Sequence, residues 1–204
     1  MKNITVFGFG LVLTLALQAT GQEAPSIPKK QPVLHAYCGA IETISRMKPV
    51  DDLVANPEPS MILISKEKSR MYFMQGNKVL RKYRLAFGSH HDDGPKIQEG
   101  DRKTPEGIYS IIGKNKNSQY HKALKISYPN DYDKEYAASL GVKPGGDIMI
   151  HGLPSSLDGV LDNSILQSAV NSLNWTAGCV AVNNDQMDII FLTVPLNTPV
   201  AICP

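Results

Sequence analysis

What this chain lacks narrows its function first. Across 204 residues, 21 Lys and Arg stand against 19 Asp and Glu, a formal charge of +2. So balanced a surface carries no electrostatic footprint for nucleic acid. No internal repeat and no low-complexity tract appears. Cysteine is scarce, with three residues, Cys38, Cys179 and Cys203. Metal-ligand spacing is also missing: His90-His91 followed by Asp92-Asp93 hints at a site, but no further ligands at suitable intervals support it. A solvated loop is the reading adopted there, with no metal and no organic cofactor. The one extended apolar run, residues 6–17, is too short and wrongly flanked for a stable membrane span.

That run is better explained as part of a secretory signal peptide over residues 1–21. Lys2 gives the positive start, and Ala19-Thr20-Gly21 supplies small residues before Gln22. An uncleaved N-terminal anchor is the alternative. No cysteine stands at the cleavage point, so lipid modification is not expected. Export to the periplasm or cell envelope would change how the cysteines read. In an oxidising compartment a Cys38–Cys203 disulfide would tie the N-terminal helix to the last strand, leaving Cys179 as a free, reactive thiol. Two other pairings exist, and both would consume Cys179.

What remains suits one globular domain. Apolar residues make up 42% and charged residues 20% of the chain, enough for a sizeable core. Sixteen Gly and fourteen Pro favour a turn-rich, mostly β fold with a few helices. Residues 22–59 read as a flexible leader followed by a short N-terminal helix, and residues 60–204 as the functional domain. Within the former, Leu34, Cys38, Ile41 and Ile44 recur at helical spacing over 34–47, with Gly39 inside the pattern and Pro49 after it. Residues 61–64 form a continuous apolar run, predicting a strand buried on both faces. A second strand over 71–74, the Gly76-Asn77 turn and an alternating segment over 79–87 complete three antiparallel strands. Residues 88–107 make a Gly- and Pro-rich structured loop. Strands are expected over 108–112 and 124–128, and helices over 133–140 and 164–173. Residues 115–119 read as polar and exposed. Asn183 with Gln186 predicts a capped helix to about Phe191, and residues 199–203 a last strand opened by a proline.

The chemistry concentrates in two places. Ile148-Met149-Ile150-His151-Gly152 ends an apolar run on a histidine, and Thr176-Ala177-Gly178-Cys179-Val180 opens one on a cysteine. A thiol and an imidazole at the ends of adjacent strands would make a nucleophile–base pair. The imidazole must be oriented through its second nitrogen, and a Gly-Cys peptide in a loop can donate N–H to an oxyanion. A satisfied core histidine and a buried, inert cysteine are the competing explanation.

These same residues resemble the L,D-transpeptidases of the YkuD (ErfK/YbiS) type. His151-Gly152 with Thr176-Ala177-Gly178-Cys179 looks like that family's histidine and Gly-Cys signature. Leu85-Ala86-Phe87-Gly88, Gly94-Pro95-Lys96, Gly100-Asp101, Lys103-Thr104-Pro105-Glu106-Gly107-Ile108-Tyr109 and Pro144-Gly145-Gly146-Asp147-Ile148 look like its further blocks. The resemblance implies a β-sandwich-like fold without metal or cofactor. It makes Cys179 a nucleophile forming a thioester with a peptidoglycan stem peptide, His151 the base and Gly152 the carbonyl that fixes its ring. Thr176, Ala177 and Gly178 would be oxyanion or substrate-binding residues. The implied donor is a tetrapeptide stem cut before its terminal D-Ala. Three departures stand out: Ala177 where the family usually has a second histidine, Ala181 where many members have an arginine, and a longer interval between His151 and Cys179. An L,D-carboxypeptidase or amidase acting on the same peptides is the alternative enzyme, and a non-catalytic cell-wall binding module the competing class.

Overall fold

The computed structural model describes residues 32–50, 57–157, 164, 165, 168 and 173–204. The expected signal peptide, nearly all of the leader and most of the expected 164–173 helix lie outside the described residues. Among those described, no helix is long and apolar enough to cross a membrane.

The sequence pattern over 34–47 yields two helices rather than one: α1 (Pro32–Gly39) and α2 (Ile41–Arg46). The break falls at Gly39-Ala40, where glycine's backbone freedom weakens helix continuation. Leu34, Cys38, Ile41 and Ile44 nevertheless pack into one cluster, as their spacing requires. Strands β1 (Met61–Ser65), β2 (Arg70–Gln75) and β3 (Lys78–Arg84) form the expected antiparallel trio. Burial of β1 on both faces follows: Ile62 and Ile64 enter the main core, while Leu63 faces the cluster under α1 and α2.

Strand β4 (Gly107–Ser118) is more than twice the expected length. Its polar half is exposed as anticipated, yet its backbone pairs with β5 (His121–Ile126), which satisfies those peptide groups. After α3 (Asp131–Ser139), whose Asn130 and Asp133 form a reciprocal capping box, come β6 (Met149–His151) and β7 (Val180–Ala181). Helix α4 (Asn184–Thr193) starts where Asn183 accepts the Gln186 N–H at 2.7 Å. Strand β8 (Pro199–Cys203) follows.

The eight strands form one mixed sheet in the order β3-β2-β1-β8-β4-β5-β6-β7. The last strand in sequence therefore lies at the centre, parallel to β1 and antiparallel to β4. Val200, Ala201, Ile202 and Cys203 are all buried, and Pro199 sits at the strand's first position, where a missing N–H is tolerated. Strand β4 hinges the sheet. Its first half pairs with β8, its second half with β5, and a register shift at Ile111–Gly113 bends the ladder between them. The two halves enclose a core in which Ile62, Phe73 and Ile202 meet Leu124, Ile150 and Val180. This is the mostly β, sandwich-like arrangement expected. Each such fully buried side chain contributes about 1.5–3 kcal/mol. The segment after β3 closes the circuit: Ala86 and Ala181 exchange backbone hydrogen bonds of 3.0 and 2.8 Å, joining it to β7. A Cys38–Cys203 disulfide fastens α1 to the central strand, and Cys179 is free.

Candidate active site

Strands β6 and β7 are parallel neighbours, with Ile150 opposite Val180 and His151 opposite Ala181. Cys179 is then level with Met149. Successive side chains alternate across a sheet, and Ile150 and Val180 point into the core. His151 and Cys179 therefore share the other face, offset by two residues or about 7 Å along the strands. Both line one open cavity of about 620 Å³.

His151 is almost wholly buried and tightly held. Its Nδ1 lies 2.7 Å from the Gly152 carbonyl oxygen. A carbonyl can only accept, so Nδ1 carries the hydrogen and Nε2 of the neutral ring is the acceptor. Tyr120 lies against the ring at 4.6 Å between centroids, and Trp175 stands edge-on at 5.7 Å. Burial holds the imidazole below its ordinary pKa, with the Gly152 carbonyl opposing that shift only in part. Gly152 is required sterically: a Cβ there would meet Asn184 Oδ1 at 2.6 Å, the same oxygen that accepts the Leu153 N–H at 2.8 Å.

The cysteine loop is built around Thr176, which is buried. Its Oγ1 donates to the Cys179 carbonyl at 2.7 Å and accepts the Gly178 N–H at 3.1 Å. Upstream, Asn174 Oδ1 accepts the Phe87 N–H, and Thr176 exchanges backbone bonds with Phe87 and Ser89, so the loop is tied to the segment after β3. Gly178 has φ 131°, and a Cβ on it would lie 2.7 Å from the Lys103 carbonyl oxygen. Of the expected substrate-facing trio, Thr176 and Ala177 line the cavity; Gly178 does not, and its N–H is engaged by Thr176.

Cys179 is half-buried. Its Sγ reaches the Asp147 carbonyl oxygen at 3.6 Å, and no direct hydrogen bond joins it to His151. Burial raises the thiol pKa; the Met149 N–H opposes this, the Asp147 charge adds to it and the Lys96 charge offsets it. With the thiol pushed up and the imidazole pushed down, both groups are neutral near pH 7. The structure thus brings the two residues to one cavity without a preformed ion pair.

Two cavity residues, Tyr120 and Arg102, carry no sequence signal of their own, whereas Asp147 belongs to the 144–148 block. Tyr120 enters from the β4–β5 turn, and Asp147 and Arg102 come from loops where they adopt φ 54° and 57°. Trp175 directly precedes the 176–179 block in sequence. Ala181 is fully buried beside Ala86 and Leu153, so this position offers no group to the cavity. In the loop over 90–93, His90, Asp92 and Asp93 are exposed as expected, and only His91 departs from expectation. His91 is buried, stacks on Phe87 at 5.4 Å between centroids and lies near Asn174, because the loop folds over the core rather than into solvent. Among the described residues, no group of three or more His, Cys, Asp or Glu is placed to hold a metal ion.

A family model described as YkuD, L,D-transpeptidase catalytic domain, matches residues 59–202. The Escherichia coli K12 protein described as "Putative L,D-transpeptidase YafK" is 28% identical over 165 residues, covering 76% of this chain and 56% of that protein. This chain thus spans about half the length of the curated relatives it matches. Among solved structures, the helical cell shape determining protein Pgp2 from Campylobacter jejuni is similar at 28% identity and TM-score 0.49, covering 70% of this chain and 46% of that one. Mycobacterium tuberculosis L,D-transpeptidase 1 is similar at 13% identity and TM-score 0.41, covering 71% and 60%.

Proposed function

This chain belongs to the L,D-transpeptidase catalytic domain (YkuD) family, and from that premise we propose that it is an exported enzyme transferring acyl groups between peptidoglycan stem peptides through a Cys179 thioester. The observation that carries the proposal is the shared cavity face of Cys179 and His151, with the imidazole's Nε2 left as acceptor by the Nδ1–Gly152 bond. The Cys38–Cys203 disulfide supports an oxidising location.

Because thiol and ring are both neutral at rest, the proton moves during attack. Rotation about the cysteine χ1 swings Sγ from the Asp147 carbonyl toward Nε2; catalytic hydrogen bonds commonly tighten only with substrate bound. The Sγ–H proton passes to Nε2 as the S–C bond forms at the carbonyl preceding the terminal residue. The Gly178–Cys179 peptide N–H faces the developing oxyanion. The tetrahedral adduct collapses, the C–N bond breaks, and the imidazolium returns its proton to the departing amine. An acceptor amine then attacks the thioester, gives a proton to His151 and expels the thiolate, which recovers it. If water replaces the amine, the product is a shortened stem.

Incubation with purified disaccharide-tetrapeptide tests this. Cross-linked dimers are expected, lost in Cys179→Ala and His151→Ala. Tripeptide alone would assign the hydrolytic alternative. A folded protein that makes neither product would refute acyl transfer and favour a binding module.

A further inference from the structure

Arg102 is the least explained feature of the cavity wall. It is an exposed, non-glycine residue at φ 57°, a conformation that disfavours L side chains by roughly 1–2 kcal/mol. Such positions persist only where their surroundings impose them, and they cluster at functional sites as well as in turns.

Here the surroundings are explicit. The neighbouring Asp101 carboxylate accepts the Ile97, Gln98 and Lys103 N–H groups at 2.8, 3.0 and 3.1 Å, and Lys96 Nζ at 2.8 Å. The Arg102 carbonyl accepts the His90 N–H at 3.1 Å. That carbonyl is also pressed against Gly88, where a Cβ would lie 2.2 Å from its oxygen and 3.0 Å from the Gly178 Cα. The backbone of Arg102 is therefore referenced, through Gly88, to the loop that carries Cys179.

Charge singles out the same residue. Asp147, the other charged residue lining the cavity, is paired with Lys125 at 2.6 Å. The nearby cations Lys96 and Lys103 are occupied, by Asp101 and by the Asp93 carbonyl. Arg102 lines the cavity with no ion pair among the described residues. A rigidly based guanidinium left without a counter-charge beside a nucleophile is suited to a planar anion.

We propose that Arg102 is a specificity-determining residue that binds the free terminal carboxylate of the residue leaving as Cys179 is acylated. The inference rests on the acyl-transfer reading above. In a tetrapeptide donor that carboxylate belongs to the residue just beyond the scissile bond. Its capture orients the carbonyl for attack and disfavours stems in which a further residue follows.

The test compares a disaccharide-tetrapeptide with its C-terminal carboxamide, in wild type, Arg102→Gly and Arg102→Lys. Glycine adopts the positive φ readily, so this variant removes the cation without backbone strain. Wild type is expected to favour the acid by about 10–100-fold in kcat/KM, the size of one charge-assisted contact. Arg102→Gly should bring that ratio to within about threefold, and Arg102→Lys should restore part of it. Alkylation of Cys179 by iodoacetamide, a neutral probe, should be unchanged in both variants. A wild type that is active but indifferent to the amide, or an acid preference that survives in Arg102→Gly, overturns this inference alone. A wild type that gives neither dimer nor tripeptide from the tetrapeptide overturns the acyl-transfer reading and this inference with it.

Discussion

Replacing Thr176 by valine keeps the shape of the side chain and removes only its hydroxyl. That hydroxyl serves two backbone groups, the Cys179 carbonyl at 2.7 Å and the Gly178 N–H at 3.1 Å. An unsatisfied buried polar group costs about 1–3 kcal/mol. Gly178 is buried, whereas Cys179 borders the open cavity and can recover part of its bonding from water. The combined cost is therefore about 2–4 kcal/mol, concentrated in three residues. The loop can escape it by moving outward, which would carry the sulfur with it. A displacement of about 1 Å at a reacting atom is worth about 100-fold in rate. We expect Thr176→Val to lower kcat/KM for tetrapeptide consumption by about 100-fold, with a smaller fall in melting temperature, while Thr176→Ser stays within a few-fold of wild type. Product formation followed chromatographically, with thermal unfolding alongside, separates the two effects. A valine variant with wild-type kcat/KM would refute the claim that this hydroxyl sets the position of the Cys179 sulfur.

Two further outcomes depend on pH. Because burial raises the Cys179 thiol and lowers His151, carbamidomethylation of Cys179 should be slow at pH 7 and climb above the ordinary thiol range; a plateau already reached at neutral pH would mean a preformed thiolate–imidazolium pair. Asp133, which caps α3 and accepts from the Tyr109 hydroxyl at 3.1 Å, is pushed up to about 6, chiefly by burial. A carboxyl raised on folding stabilises the fold fully below its unfolded pKa, and that contribution is lost as pH rises through the folded value. The melting temperature of wild type relative to Asp133→Asn should accordingly fall between about pH 4 and pH 6–7, and a constant difference across that window would contradict the assignment.

The sequence by itself determined the parts that depend on local pattern. Apolar runs located β1, β2, β6 and β8, the Gly76-Asn77 turn located the β2–β3 hairpin, and the Asn183–Gln186 spacing located the start of α4. It also singled out Cys179 and His151, because a histidine closing one apolar run and a cysteine opening another are unusual endings. Tertiary structure decided what no local pattern encodes. Strand β8 lies at the sheet's centre because β1 and β4 bond its two backbone edges while the main core and the α1–α2 cluster cover its two faces, and which strands supply those edges is a long-range choice. The polar half of β4 became a strand because β5 offered it hydrogen bonds, although its side chains carry no strand signal. His91 turned inward because its loop folds over Phe87. Most consequential for function, the two site residues share a face through the parallel register of β6 and β7, and Arg102 reaches their cavity through a backbone angle imposed by Asp101 and Gly88. Residue identity fixes which chemistry is available; the packing of distant segments fixes which groups meet, because contacts between them are set by the sheet's closure and not by distance along the chain.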